Sequence, residues 1–298
     1  MWWLLMIIPG LLVVGYFRDL RRDGAVKARR GLLQGIACVA VLYFAVLGTL
    51  LLLESWLLFQ PISFEALHED TSALKYEEVK IPSSDGNTLV GWWCPQEGAQ
   101  CTILFCHGTG GNLTLHTMIV PMLQKTTKVN VFAIAYPGYS GSTGSPSEAG
   151  CYAAGEAAHD WLTKTRKISP DRVLLLGQSL GGGVACELAQ RRPHAGLILL
   201  STFTTLPERA QEVIPIFPIT WLMRNRFDNR GKLERYQGPL LIAHGDNDDV
   251  VPFHHGEQLY VAAATTLKEF HRIQGGTHVV FDQAFFRKVG VMVESLVK

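Results

Sequence analysis

The sequence has almost no net charge: 27 Lys and Arg stand against 26 Asp and Glu, giving +1 over 298 residues. A chain so balanced carries no basic footprint for nucleic acid, and with 48% hydrophobic residues it is not of the disordered class. It has no internal repeat and no low-complexity stretch. Its six cysteines include no C-x-x-C pair. With Cys38 inside an apolar run the other five are odd in number, which argues against a full disulfide framework. Cys94 and Cys101 flank a short turn where an oxidising compartment would let them pair, although the default for each is a small buried hydrophobe.

Charge is missing locally as well. Residues 1–17 carry none, and neither do residues 31–53, after which apolar character continues past Glu54 to Phe59. A bilayer core about 30 Å thick needs roughly 20 apolar residues in a helix. The second run meets this, while the first is marginal and holds Pro9-Gly10, which favours a kink. Between them, residues 18–30 carry Arg18, Arg21, Arg22, Lys27, Arg29 and Arg30 against Asp19 and Asp23. Short basic loops stay in the cytoplasm. The expectation is therefore an N-terminal pair of transmembrane helices over residues 1–59, with everything beyond Phe59 on the non-cytoplasmic face (the periplasm in a bacterium). The basic flank follows the first apolar run instead of preceding it, which does not fit a cleavable signal peptide.

Residues 60–298 are enough for one large domain. Leu74–Ile81 and Asn87–Cys94 alternate around the turn Ser83-Ser-Asp-Gly86 and predict an antiparallel hairpin. Short continuous apolar runs follow at 101–106, 129–135, 172–176, 195–200, 239–243 and 267–273, separated by longer stretches. Strands covered on both faces read this way, so the class is α/β with a mostly parallel sheet flanked by helices. Helices are expected over 147–166, 181–191 and 281–297. Residues 202–236 break the rhythm with bulky apolar side chains and read as a short cap over one end of the sheet.

Four sequences fall at strand ends, where open α/β sheets bind ligands. Gly177-Gln-Ser-Leu-Gly181 matches G-x-S-x-G, placing Ser179 between a strand and a helix with small neighbours. Alone, this permits a nucleophile or an ordinary helix-capping serine. The phosphate-loop alternative lacks its G-K-[ST] ending. The glycine-rich loop Phe105-Cys-His-Gly-Thr-Gly-Gly-Asn112 is able to aim the N–H of Thr109 at a substrate oxygen, with the N–H of Leu180 as the second donor. His107 is read as a brace for that loop. The Asn112-Leu-Thr114 sequon is a poor glycosylation acceptor if the loop packs at a site. In His244-Gly-Asp-Asn-Asp-Asp-Val-Val-Pro252, Asp248 is the first choice for an acid that orients a histidine; Asp246 is the reserve, and Asp249 is expected to face solvent. A metal site from these aspartates with His254 and His255 matches no common spacing, so no metal is expected. His278, on the glycine-flanked loop after the last strand, is the best base.

In chain order, Ser179, Asp248 and His278 resemble the nucleophile, acid and base of the α/β-hydrolase superfamily. The resemblance runs from about Leu74 to the C-terminus. More narrowly, the chain looks like the membrane-anchored hydrolases related to bud-emergence proteins. Their H-G-N-x-G-N loop is matched by His107-Gly-Thr-Gly-Gly-Asn112 and their R-G-Y-G-x-S-x-G-x-P-S-E stretch, loosely, by Pro137–Glu148. Their H-G-x-x-D-x-x-V-P block is matched by His244–Pro252. Thr109, Ala135 and Pro137 depart from the pattern. The resemblance implies two-step acyl transfer on an ester or thioester, with lipid-like or acylated substrates and no cofactor. The partners expected are such a substrate and, through the N-terminal helices, the bilayer; nothing points to nucleic acid or to a particular protein. The apolar stretch Val213–Met223 is either core packing or an acyl-chain entrance, with Ile216, Phe217 and Trp221 as its candidate lining. Two readings compete: a catalytically silent scaffold that kept the fold, and a nucleotide-binding α/β protein.

Overall fold

The computed structural model describes residues 3–61 and 74–297. The chain divides into two compact units, residues 1–54 and 55–298.

In the first unit, helix α1 (Trp3–Asp23) and helix α2 (Ala25–Leu52) are joined at Gly24, whose φ of 84° is open to a residue without a Cβ. They pack closely enough that a Cβ on Gly35 would stand 2.4 Å from Leu12 Cδ2. Helix α1 is helical throughout, Pro9–Gly10 included. Among the described residues, α2 is the one helix long and apolar enough to cross a membrane, with mean hydropathy 2.4. Its 28 residues extend about 42 Å. The expectation of more than one such helix is met, among the described residues, by this single candidate.

The second unit already includes the end of the apolar N-terminal run: Phe59 is 2% exposed and sits in its core beside Phe227. Its centre is an eight-stranded sheet. The strands are β1 (Glu77–Pro82), β2 (Thr88–Cys94), β3 (Thr102–Cys106), β4 (Asn130–Ile134), β5 (Val173–Gln178), β6 (Gly196–Leu200), β7 (Leu240–Gly245) and β8 (Lys268–Ile273). They lie in the order β8-β7-β6-β5-β3-β4-β2-β1. All pairs from β4 through β8 are parallel, while β1 and β2 form the expected antiparallel hairpin, β2 pairing antiparallel with β4. Every residue of β3, β5, β6 and β7 is buried, which is why these strands read as unbroken apolar runs.

The flanking helices are α3 (Val120–Thr127), α4 (Glu148–Asp160), α5 (Leu180–Arg191), α6 (Leu206–Val213), α7 (His254–Ala262) and α8 (Gln283–Val297). Helix α4 starts where its signal sits: Ser147 Oγ accepts the Gly150 N–H at 3.1 Å. The cap region contains α6 and two short turns of helix, Ile219–Leu222 and Asn229–Leu233. Glu148 holds its base, accepting the N–H groups of Arg226 (2.5 Å) and Phe227 (2.8 Å) and the hydroxyl of Tyr152 (2.6 Å). Two backbone donors and a half-buried phenol thus meet one carboxylate, and charge-assisted bonds of this kind are the stronger class.

Candidate active site

The turn at Ser179 separates the two readings left open by its motif. A capping serine takes extended backbone and lends its oxygen to an N–H one turn on. Ser179 does neither: its φ is 53° and ψ −121°, and its side chain makes no capping bond. This sparsely populated conformation persists only where the surroundings fix it. Here the Ser179 N–H donates to Leu200 O at 2.9 Å, and its carbonyl accepts from Gly182 N at 3.0 Å and Thr202 Oγ1 at 2.6 Å. The glycines let the turn close. A Cβ on Gly177 would lie 2.4 Å from Gly181 O, and one on Gly181 would lie 1.9 Å from Cys106 O. Gly182 is equally constrained, by Thr202 at 2.3 Å.

The glycine-rich loop lies directly against this turn. A Cβ on Gly108 would stand 3.3 Å from Ser179 Cβ and 3.5 Å from His116 Cε1. Thr109 follows, and Gly110–Gly111 then pair in parallel with Gln60–Pro61, so the segment just beyond the apolar N-terminal run pins the loop. His107 has the bracing role read from the sequence. It is fully buried, its ring stacks on Tyr136 at 4.2 Å and on His116 at 4.8 Å, and its carbonyl accepts the Tyr136 hydroxyl. Burial holds its imidazole well below the usual histidine range, so it stays neutral. Asn112 is buried and accepts the Leu115 N–H, which leaves the sequon asparagine inaccessible. On the other side of the turn Leu180 opens α5, so its N–H has no carbonyl four residues back to bond. The helix N-terminus there favours developing negative charge.

Asp248 and His278 come together from the loops after β7 and β8. Asp248 Oδ2 accepts the His278 Nδ1–H at 2.8 Å, while Oδ1 accepts the N–H groups of Val250 (2.9 Å) and Val251 (2.8 Å). Burial alone would raise this carboxyl; hydrogen bonds from His244, His278 and Val251 outweigh it and hold the group ionised, well below the usual carboxylate range. A fixed anion on Nδ1 sets the tautomer that leaves Nε2 free to accept a proton. Among the described residues no hydrogen bond joins the Ser179 hydroxyl to His278; such bonds often tighten only with substrate bound.

The other candidates are engaged elsewhere. Asp246, the reserve acid, bonds Arg272 Nε at 2.9 Å and Gly275 N at 2.7 Å. Asp249 is exposed, His271 pairs with Asp282, and His254 and His255 both face Glu212. Of the apolar trio, Phe217 is buried, Ile216 is 44% exposed and Trp221 is 86% exposed, so the three do not share one environment. Trp221 borders a hollow that also has Glu208, Arg226 and Arg230 in its wall.

Two residues escaped the sequence reading. His116 Nε2–H donates to Gly110 O (2.5 Å) beside the Ser179 loop; burial, with a smaller contribution from the nearby His278, brings its pKa down to about 4 against the opposing bond to Gly110. His244, fully buried, directs Nε2 at Val251 O (2.8 Å) and lies 3.4 Å from Asp248 Oδ2. It therefore buttresses both the acid and the loop that carries it. His244 stood in view inside the H-G-x-x-D block, but its partners are set by how the loop folds back.

A family model described as the alpha/beta hydrolase fold matches residues 102–221. An uncharacterized protein of Mycobacterium tuberculosis is 33% identical over 203 residues, covering 67% of this chain and 72% of that one. Protein bem46 of Schizosaccharomyces pombe is 30% identical over 219 residues, covering 69% and 71%. Among solved structures, the Pyrococcus furiosus esterase Pf2001 superposes with a TM-score of 0.65 at 18% identity, covering 79% of this chain and 98% of that one. At that identity the likeness speaks for the fold alone. From its relatives and from the sheet it builds, the chain belongs to the alpha/beta hydrolase family and is similar to the bud-emergence proteins within it.

Proposed function

We propose that this protein is a membrane-anchored serine hydrolase that cleaves carboxylic ester or thioester bonds of lipid-like or acylated substrates. The observation that carries the reading is the 2.8 Å bond between His278 Nδ1 and Asp248 Oδ2, at the same sheet end as the strained turn at Ser179. In the reaction Ser179 Oγ attacks the substrate carbonyl carbon and His278 Nε2 takes its proton. The N–H groups of Leu180 and Thr109 receive the oxyanion, and loss of such a donor typically costs on the order of 10² to 10³ in rate. His278 then protonates the leaving oxygen or sulfur, releasing the alcohol or thiol. In the second half the same nitrogen draws a proton from water, which attacks the acyl-enzyme, and returns that proton to Ser179 Oγ as the acid leaves.

Helix α2 supports the anchor by its length and hydropathy, and the basic loop over residues 18–30 supports a cytoplasmic position for that loop, with the hydrolase unit on the opposite side. The exposed Ile216 and Trp221 on the cap support contact with an acyl chain. The test uses detergent-extracted full-length protein and p-nitrophenyl esters of increasing chain length, with a matching thioester series. Hydrolysis is expected, with Ser179→Ala removing it. Replacing Ile216 and Trp221 by Ser is expected to lower kcat/KM for long chains more than for acetate. Equal losses on both would sink the acyl-chain role while leaving the hydrolase reading intact.

A further inference from the structure

Away from Ser179, the end of α6 meets the first turn of α7, and three ligating side chains converge there. One ligand atom each from Glu212, His254 and His255 lies within 4.8 Å of the others. Glu212 Oε1 stands 2.9 Å from His254 Nε2, and Oε2 stands 3.2 Å from His255 Nε2. The two imidazoles stack at 4.5 Å. His255 is 1% exposed, whereas His254 and Glu212 face solvent.

The buried side of His255 meets a second set of polar groups. Thr204 Oγ1 lies 2.6 Å from Glu208 Oε2 and 2.9 Å from His255 Nδ1. The Thr204 hydroxyl donates to the Glu208 carboxylate, which leaves Oγ1 able to accept from His255 Nδ1–H. In that tautomer Nε2 presents its lone pair towards Glu212, where a metal ion takes the place of the proton that otherwise bridges the 3.2 Å contact. In the metal-free tautomer Nδ1 accepts the Thr204 N–H at 3.3 Å and Nε2–H donates to Glu212.

We propose that Glu212, His254 and His255 form a binding site for one divalent transition-metal ion of the zinc class. Two imidazoles and a carboxylate are a ligand set that zinc accepts, and bonds of about 2.0–2.2 Å put tetrahedral ligand atoms roughly 3.4 Å apart, within the observed span. Solvent at the exposed His254 and Glu212 completes the coordination. The hydrogen-bonded chain His255–Thr204–Glu208 is the outer shell that orients a metal-bound imidazole. Arg209 competes only weakly for Glu212, at 3.5 Å, because its Nε is taken by Val250 O at 2.6 Å. An ion here joins the cap to the helix that follows the Asp248 loop. Sequence spacing did not show the site because Glu212 lies 42 residues before His254. The inference does not depend on the role of Ser179.

The experiment strips full-length, detergent-extracted protein with a chelator and titrates it with zinc chloride by calorimetry at pH 7. Cobalt(II) absorption reports the geometry. One zinc per chain is expected, with visible bands of a tetrahedral cobalt site and a raised Tm. Glu212→Gln and His254→Ala, both at exposed positions, should weaken zinc binding at least about 100-fold while leaving the metal-free Tm unchanged. Thr204→Val should weaken it by about 10- to 100-fold. No saturable binding at one equivalent, or an isotherm unchanged in Glu212→Gln and His254→Ala, would overturn the proposal and leave a proton as the bridging cation.

Discussion

Replacing Asp248 by Asn tests the geometry of the acid and base with little change of shape. Asp248 has three donors within 2.9 Å to satisfy: Val250 N–H and Val251 N–H on Oδ1, and His278 Nδ1–H on Oδ2. An amide has only one accepting oxygen. Two backbone donors hold that oxygen at the Oδ1 position, so the NH₂ group must face His278. Nδ1 then has to accept, the ring proton moves to Nε2, and the nitrogen meant to deprotonate Ser179 is already protonated. Wrong-tautomer substitutions of this kind lower kcat by about 10⁴, equal to about 5.5 kcal/mol of barrier. Stability should fall by only about 1–3 kcal/mol, because both backbone bonds survive and only the charge-assisted ones are lost. The assay is kcat for a soluble p-nitrophenyl ester, with urea denaturation alongside. A variant that folds and retains activity within tenfold of the parent would refute the tautomer argument and, with it, the assignment of Asp248.

Two further outcomes follow from the same geometry. Gly181→Ala should cost more than about 4 kcal/mol and abolish the stably folded protein, since its Cβ would meet the Cys106 carbonyl at 1.9 Å and a β3 carbonyl cannot move aside; a urea midpoint close to that of the parent would contradict this. His116, with its pKa lowered to about 4, makes stability pH-dependent. Above about pH 6.5 neither state holds the proton; between about 6.5 and about 4 the unfolded chain takes it up and the folded chain does not. Stability therefore falls on acidification through that window and this contribution levels off below it. His116→Gln should flatten the urea midpoint profile from pH 7 to 4 by up to about 1.4 kcal/mol per pH unit, and an unchanged slope would refute the assignment.

The central strands were legible because burial on both faces makes them unbroken apolar runs; each parallel strand lies within two residues of its expected place, whereas β1 starts at Glu77, three residues later than expected. The ends differed where pairing, not hydrophobicity, decides. Gly177 and Gln178 belong to β5 because they pair with Leu199 and Leu200. Helix α3 went unread because Val-Pro-Met-Leu-Gln-Lys-Thr-Thr opens from a turn of 3₁₀ helix and ends in two poor helix formers. Helix α7 was hidden by its opening His-His, read only as a possible ligand pair. Ser179, Asp248 and His278 were visible because each lies just beyond a strand end in a stretch that contains glycine. His116 gave no such signal: it acquires its place only when the glycine-rich loop folds over the turn at Ser179. Glu212 and His254 likewise meet only once the cap has closed on α7.

The central claim is that Ser179 is an activated nucleophile. Intact-mass measurement after treatment with a fluorophosphonate tests it most directly, using full-length protein in detergent at pH 7.5. The account predicts one adduct per chain, mapped to Ser179, absent in Ser179→Ala and greatly slowed in His278→Ala. Folded protein that takes up no adduct, or an adduct that persists in Ser179→Ala, would contradict it.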